Sequence, residues 1–184
     1  MKNVDKKIQL LFNLIKTRKL VEAKELNKSL IIEYPKNAFL YNTIGLIYFY
    51  EKNYNEAYLS YKKGISINPK FAPLYNNLGN LHRHKKEYNE AEICIKKSIE
   101  IESNNPESIN NLGNLYQDIN RIQDSIDSYI KAINLNSNFF PAHYNLAITY
   151  KNIGDFDKSK KHLNKSIELK PLFFPAHRTL SQII

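Results

Sequence analysis

The side chains that could carry out chemistry in this chain are five histidines, one cysteine and scattered carboxylates, and their spacing argues against each reaction in turn. His82 and His84 stand two residues apart, so on a helix they point to different sides, and neither spacing resembles a zinc site. Cys94 has no histidine beside it in sequence and reads as a buried thiol. As the only cysteine it can form no internal disulfide, which indicates a reducing compartment and a cytoplasmic location. There is no glycine-rich phosphate loop, no G-x-S-x-G, no C-x-x-C and no paired carboxylates. We therefore expect no catalytic residue, no metal, no cofactor and no enzyme activity within these residues.

The candidates that remain are amides. Asn76, Asn77 and Asn80 recur 34 residues later as Asn110, Asn111 and Asn114, and Asn145 continues the middle row. A side-chain amide carries both a carbonyl acceptor and an N–H donor. It can pair with a peptide bond whatever side chain that peptide bears. Repeated at a fixed interval, such amides would form a ladder along an extended peptide.

The elements that must hold this ladder follow from the same interval. "FFPAHYNLA" at 139–147 returns as "FFPAHRTLS" at 173–181, and stepping by 34 from Ala38 as position 1 puts the whole chain in one register. Position 8 reads Leu11, Gly45, Gly79, Gly113, Ala147 and Ser181; position 20 reads Ala23, Ala57, Ala91, Ser125 and Ser159. Position 27 reads Leu30, Gly64, Ser98, Ala132 and Ser166, and position 28 is Ile in five units. Apolar residues at 4, 7, 8 and 11 share one helical face, and those at 17, 20, 24, 27 and 28 form the stripe of a second helix. His82, His143 and His177 fall on the first stripe and read as packing residues. Small residues at 8, 20 and 27 let the two backbones approach. Pro35, Pro69 and Pro171 end second helices, while Pro73, Pro141 and Pro175 fit the first turn of the next first helix.

This predicts helices near 4–17, 20–33, 38–51, 54–67, 72–85, 88–101, 106–119, 122–135, 140–153 and 156–169, with an eleventh starting near 174. The units span 4–37, 38–71, 72–105, 106–139 and 140–173, with a partial sixth at 174–184. The sixth offers Leu180 and Ile184 to a second helix that the sequence does not contain, so the natural chain is expected to continue. No stretch approaches the roughly 18 apolar residues of a membrane helix, and no secretory leader is read at the start.

These columns resemble the tetratricopeptide repeat family. The repeat 38–71 carries Gly45, Tyr48, Ala57, Tyr61, Gly64 and Pro69 where the family has its small, aromatic, Ala and Pro positions. The resemblance implies an all-α, right-handed superhelical solenoid of antiparallel helix pairs, with first helices lining a concave groove. The row Asn77, Asn111, Asn145 resembles the asparagine ladder in the repeat region of O-linked N-acetylglucosamine transferases, which implies that these residues hold a target's backbone. The family's carboxylate clamp for chaperone tails does not fit: position 5 is Asn where it needs Lys, and position 6 never holds Arg.

On a helical wheel, positions 2, 5, 6, 9, 12 and 13 lie opposite the core stripe and are expected to be exposed. At the N-terminal end they are apolar: Ile8, Phe12, Ile15, Phe39, Leu46, Phe49 and Tyr50. An exposed apolar patch marks an interaction surface, here for a peptide anchor or for self-association. Lys62, Lys63, Lys96, Lys97, Lys131 and Lys165 read as a solvated outer surface. A net charge of +9 keeps nucleic acid in view, but no aromatics alternate with these lysines, which disfavours it. The function expected is a protein-interaction scaffold that binds an extended segment in its groove. The alternative is the substrate-recruiting arm of a larger enzyme such as a glycosyltransferase.

Overall fold

The computed structural model describes residues 2–183, with side chains from residue 5 onward, so Ile184 lies outside the described residues. Among those residues there are eleven α-helices and no strand. First helices are α1 (Lys2–Lys16), α3 (Ala38–Tyr50), α5 (Ala72–His84), α7 (Pro106–Asp118) and α9 (Phe140–Asn152). Their partners are α2 (Leu20–Glu33), α4 (Tyr54–Ile67), α6 (Tyr88–Ile101), α8 (Ile122–Leu135) and α10 (Phe156–Leu169), and α11 (Phe174–Ser181) opens a sixth unit. The second helices fall on the expected bounds. Each first helix ends a residue early because a backbone motif stops it.

That motif recurs at every turn inside a pair. In the second unit, the N–H of Lys52 donates to the Phe49 carbonyl at 3.0 Å and that of Asn53 to Tyr48 at 2.9 Å. This is a Schellman cap, which requires a left-handed residue at its centre. Arg18, Lys52, Lys86 and Asn120 take that place with φ of 60–61° and Gly154 with 81°, and of these Gly and Asn are residues suited to it. The chain therefore carries local strain at three of its five intra-pair turns, those of Arg18, Lys52 and Lys86.

The two helices of a pair meet where position 8 faces position 24. A Cβ added to Gly45 would lie 2.5 Å from the Tyr61 ring, and one on Gly113 would lie 2.6 Å from Tyr129. Gly79 meets Ile95 in the same way at 2.6 Å. In the fifth unit Ala147 packs in one cluster with the smaller Leu163. The small column is thus cut to fit the large one. At positions 20 and 27 the serines are fully buried, and most are satisfied by first-helix carbonyls: Ser98 Oγ donates to Ala72 at 3.0 Å and Ser159 Oγ to Ala147 at 2.9 Å.

The first helices bury more than the expected stripe. Leu40, Leu74, Ala142 and Ala176 at position 3, and Ile47, Leu81, Leu115 and Thr149 at position 10, have no exposed surface. Each first helix packs on its own partner, on the preceding second helix and on the neighbouring first helices, α3 on α5, α5 on α7 and α7 on α9. Second helices have no comparable contact with one another. The stack therefore curves around the first-helix row, which forms the inner surface.

His143 is buried as expected, but it has a partner. Its Nε2–H donates to the Ser137 carbonyl at 3.1 Å, which leaves Nδ1 as an acceptor for the Nδ1–H of His162, also at 3.1 Å. The pair requires His143 to be neutral and His162 to carry its proton on Nδ1. Burial pushes the His162 pKa down to about 4, helped by His143, and lowers that of His143. His177, expected to pack, is exposed because no second helix covers α11 among the described residues.

Three outcomes follow from this packing. Lys52→Gly and Lys86→Gly should each raise stability by about 1 kcal/mol in chemical denaturation, since Gly relieves the left-handed strain. Gly45→Ala should destabilise by about 1–3 kcal/mol through overpacking. In a Tyr61→Leu background, where the ring is gone, the same Ala should instead add about 0.8–1.0 kcal/mol of helix propensity. Additive effects in this double-mutant cycle would show that the ring does not set the glycine. The third concerns pH. With His162 depressed from 6.5 to about 4, the unfolded chain binds a proton that the folded chain refuses. Stability is complete above pH 6.5 and falls as pH drops toward 4. The melting temperature of His162→Phe should fall less steeply across that window than that of the unchanged protein.

Candidate peptide-binding groove

The inner surface carries the amide rows, and their first partners are each other. Asn77 Nδ2 donates to Asn42 Oδ1 at 2.9 Å, Asn111 Nδ2 to Asn76 Oδ1 at 3.0 Å and Asn145 Nδ2 to Asn110 Oδ1 at 3.0 Å. Position 6 of one unit thus binds position 5 of the unit before, three times over. The first junction uses Thr43, whose Oγ1 accepts from buried Asn27. The expectation of an exposed row is corrected here: Asn76 and Asn110 are 5% exposed and Asn111 is 7% exposed. Adjacent first helices pack so closely that positions 5 and 6 lie in their seam.

What the amides have left differs along the row. Asn145 spends a further N–H on Asn114 Oδ1 at 2.9 Å, and that oxygen also accepts from Tyr129 Oη at 2.8 Å. Asn114 and Asn145 are therefore largely committed to the fold. Asn77 and Asn111 give one N–H to the seam and keep the other. Asn80 is the exception, because its buried Oδ1 has no donor at all.

Asn77 and Asn80 line a cavity of about 120 Å³ on the inner surface. Leu46, Phe49 and Tyr50 of α3 and Tyr61 of α4 form its apolar wall, and Glu107 reaches in from α7. Sequence reasoning placed the apolar and amide residues in separate sites; the curve of the stack brings Leu46, Phe49 and Tyr50 together with Asn77 and Asn80. It missed Glu107 and Tyr61. Position 2 gave no clear signal for Glu107, because it also holds an acid in the first unit, Asp5, beside Phe39, Pro73, Pro141 and Pro175 elsewhere. Glu107 keeps an exposed surface, and partial loss of water around its carboxyl shifts its pKa upward.

The apolar patch is less open than expected. Ile8, Ile15, Phe39, Leu46 and Phe49 are half-buried, and only Phe12 and Tyr50 are exposed. Phe12 stacks on Phe39 at 5.8 Å, Phe49 meets His84 edge-on at 4.9 Å, and the Arg18 guanidinium lies 4.1 Å over the Tyr50 ring. A larger cavity of about 780 Å³ lies elsewhere, at the inter-unit turns, between Tyr34, Phe39, Ile67 and Phe71. It is open and mostly apolar. The outer lysines are partly neutralised: Lys96 pairs with Glu92 at 2.7 Å, Lys97 with Glu100 at 2.9 Å and Lys165 with Glu168 at 2.7 Å.

Among the described residues no three His, Cys, Asp or Glu side chains gather as metal ligands, and no helix is long and apolar enough to cross a membrane.

The sequence matches tetratricopeptide repeat models over residues 45–85, 72–105, 106–139 and 140–171. No curated protein matches it in sequence. Its fold is similar to TTC0263, a thermophilic TPR protein of Thermus thermophilus, at 15% identity and a TM-score of 0.88, with 97% of each chain covered. It is also similar to PilW, a type IV pilus biogenesis factor, at 19% identity and a TM-score of 0.80, over 94% of this chain and 80% of that one. YrrB, described as a TPR protein with an unusual peptide-binding site, matches at 18% identity and a TM-score of 0.63, over 94% of this chain and 89% of that one. The helix pairs, their 34-residue register and these matches agree, and the chain belongs to the tetratricopeptide repeat family.

Proposed function

We propose that this chain is a protein-interaction scaffold that binds an extended peptide segment on its inner surface, centred on the cavity between α3, α5 and α7. The observation that carries this reading is that one cavity combines an apolar wall with hydrogen-bonding groups the fold has not used. A buried acceptor without a donor, such as Asn80 Oδ1, costs free energy until something supplies one. Asn77 and Asn111 keep an N–H each for a passing peptide carbonyl. The ladder in this proposal is shorter than the sequence suggested: Asn76, Asn110, Asn114 and Asn145 serve mainly to join the units. Phe12 and Phe39 extend the apolar side of the groove and could also meet a second copy of the chain. The neighbour YrrB, described by its peptide-binding site, supports the reading by analogy of fold. The family's repeats typically serve as non-catalytic scaffolds, in keeping with a site made for binding.

Selection of a displayed random-peptide library on the protein tests this. Asn80→Trp and, separately, Leu46→Trp fill the cavity, while Ile93→Trp alters an outer residue that is 70% exposed. Selected peptides should lose at least about tenfold in affinity on either cavity variant, about 1.4 kcal/mol, and be unchanged on Ile93→Trp. Circular dichroism would confirm that each variant is folded. Equal binding by all three variants would place the site elsewhere.

A further inference from the structure

We infer that the groove cavity selects a basic side chain, Lys or Arg, at one fixed position of the bound peptide; this rests on the peptide-binding reading above. Of the residues lining the cavity, Glu107 is the only acid, and no basic side chain lines it. Burial keeps the Tyr61 hydroxyl far above its ordinary pKa, so it stays neutral. Glu107 has no basic partner among the described residues, whereas Glu33, Glu51, Glu87, Glu92 and Glu100 are each held by Lys, Arg or His; Glu22, Glu25, Glu56, Glu90 and Glu102 are unpaired too, but they do not line this cavity. The cavity lining also holds Asn80 Oδ1, a buried acceptor with no donor. The cavity thus combines a buried acceptor that lacks a donor with an exposed carboxylate that lacks an ion-pair partner. An ammonium or guanidinium supplies both needs, and its apolar stem matches the wall of Leu46 and Phe49. The Tyr50 ring already takes a cation on one face, from Arg18 at 4.1 Å. An acidic or plain apolar side chain would leave Asn80 Oδ1 without a donor and Glu107 without an ion-pair partner.

A simpler account of Glu107 is that it interacts with the N-terminus of α7, where an acid is favourable. That account leaves Asn80 unexplained and gives no reason for Glu107 to line the cavity beside Leu46 and Phe49. It also predicts a different result. Library selection on the unchanged protein should give cavity-dependent peptides with Lys or Arg fixed at one position. Selection on Glu107→Gln should lose that preference, and selection on Glu107→Lys should replace it with Asp or Glu. Changing the fixed Lys of a selected peptide to norleucine should cost about tenfold to a hundredfold on the unchanged protein and less than about twofold on Glu107→Gln. Thermal melting of both variants separates loss of fold from loss of selectivity. Cavity-dependent peptides with no fixed basic residue, or a preference that survives Glu107→Gln, would overturn this inference and leave the peptide-binding reading intact. Failure to obtain any cavity-dependent peptide would overturn both.

Discussion

The constraint on which the structure depends is the closeness of the two helices in each pair. Gly45, Gly79 and Gly113 have no room for a Cβ, because a Tyr or Ile of the second helix occupies that space. Packing at protein-interior density makes such a contact specific in both directions. A Tyr ring at position 24 leaves room only for Gly opposite, and the Ile95 side chain, branched at Cβ, does the same at Gly79, whereas Leu163, smaller than Tyr and branched further out, packs with Ala147. Because each pair has the same spacing, each presents the same surfaces to the next. Pairs then stack by nearest-neighbour contact, as expected of a quasi-one-dimensional solenoid.

Stacking has a chemical consequence for the inner row. First helices that touch on both sides have little solvent-facing surface, so their polar residues at positions 5 and 6 must find partners in the seam. Asparagine suits this, because its amide has a donor for one neighbour and an acceptor for the other. Arg83 and Asp118 repeat the same offset of 35 residues with charge, at 2.9 Å near the end of the helices. The inner surface is therefore joined unit to unit by side chains as well as by apolar contact.

Most of the fold could be read from the sequence, because the register repeats and errors at one unit are corrected by the others. The second-helix bounds, the small columns and the buried alanines at position 20 all followed from spacing. The wheel failed where it treated each first helix as having one buried face. Positions 3, 5 and 10 are buried by helices of other units, which a single-helix projection does not contain. Glu107 was overlooked for a related reason. It is unremarkable within its own unit and joins residues of α3, α4 and α5 around one cavity only in the stacked units. The His143–His162 pair joins positions 4 and 23, an interaction that no single-helix stripe includes.

The amides show how structural and binding roles divide on one surface. Every N–H given to the seam is one that a peptide cannot use, so the most firmly joined units offer the least to a ligand. The junction of the fourth and fifth units is the most fully bonded, with Asn110, Asn114, Asn145 and Tyr129 in one network. The junctions on either side of α5 keep Asn77 and Asn80 less committed, and there the wall is apolar and Glu107 is unpaired. The binding proposed for the groove is therefore placed where the internal network is incomplete, and the repeat itself, by being nearly regular, makes that departure identifiable.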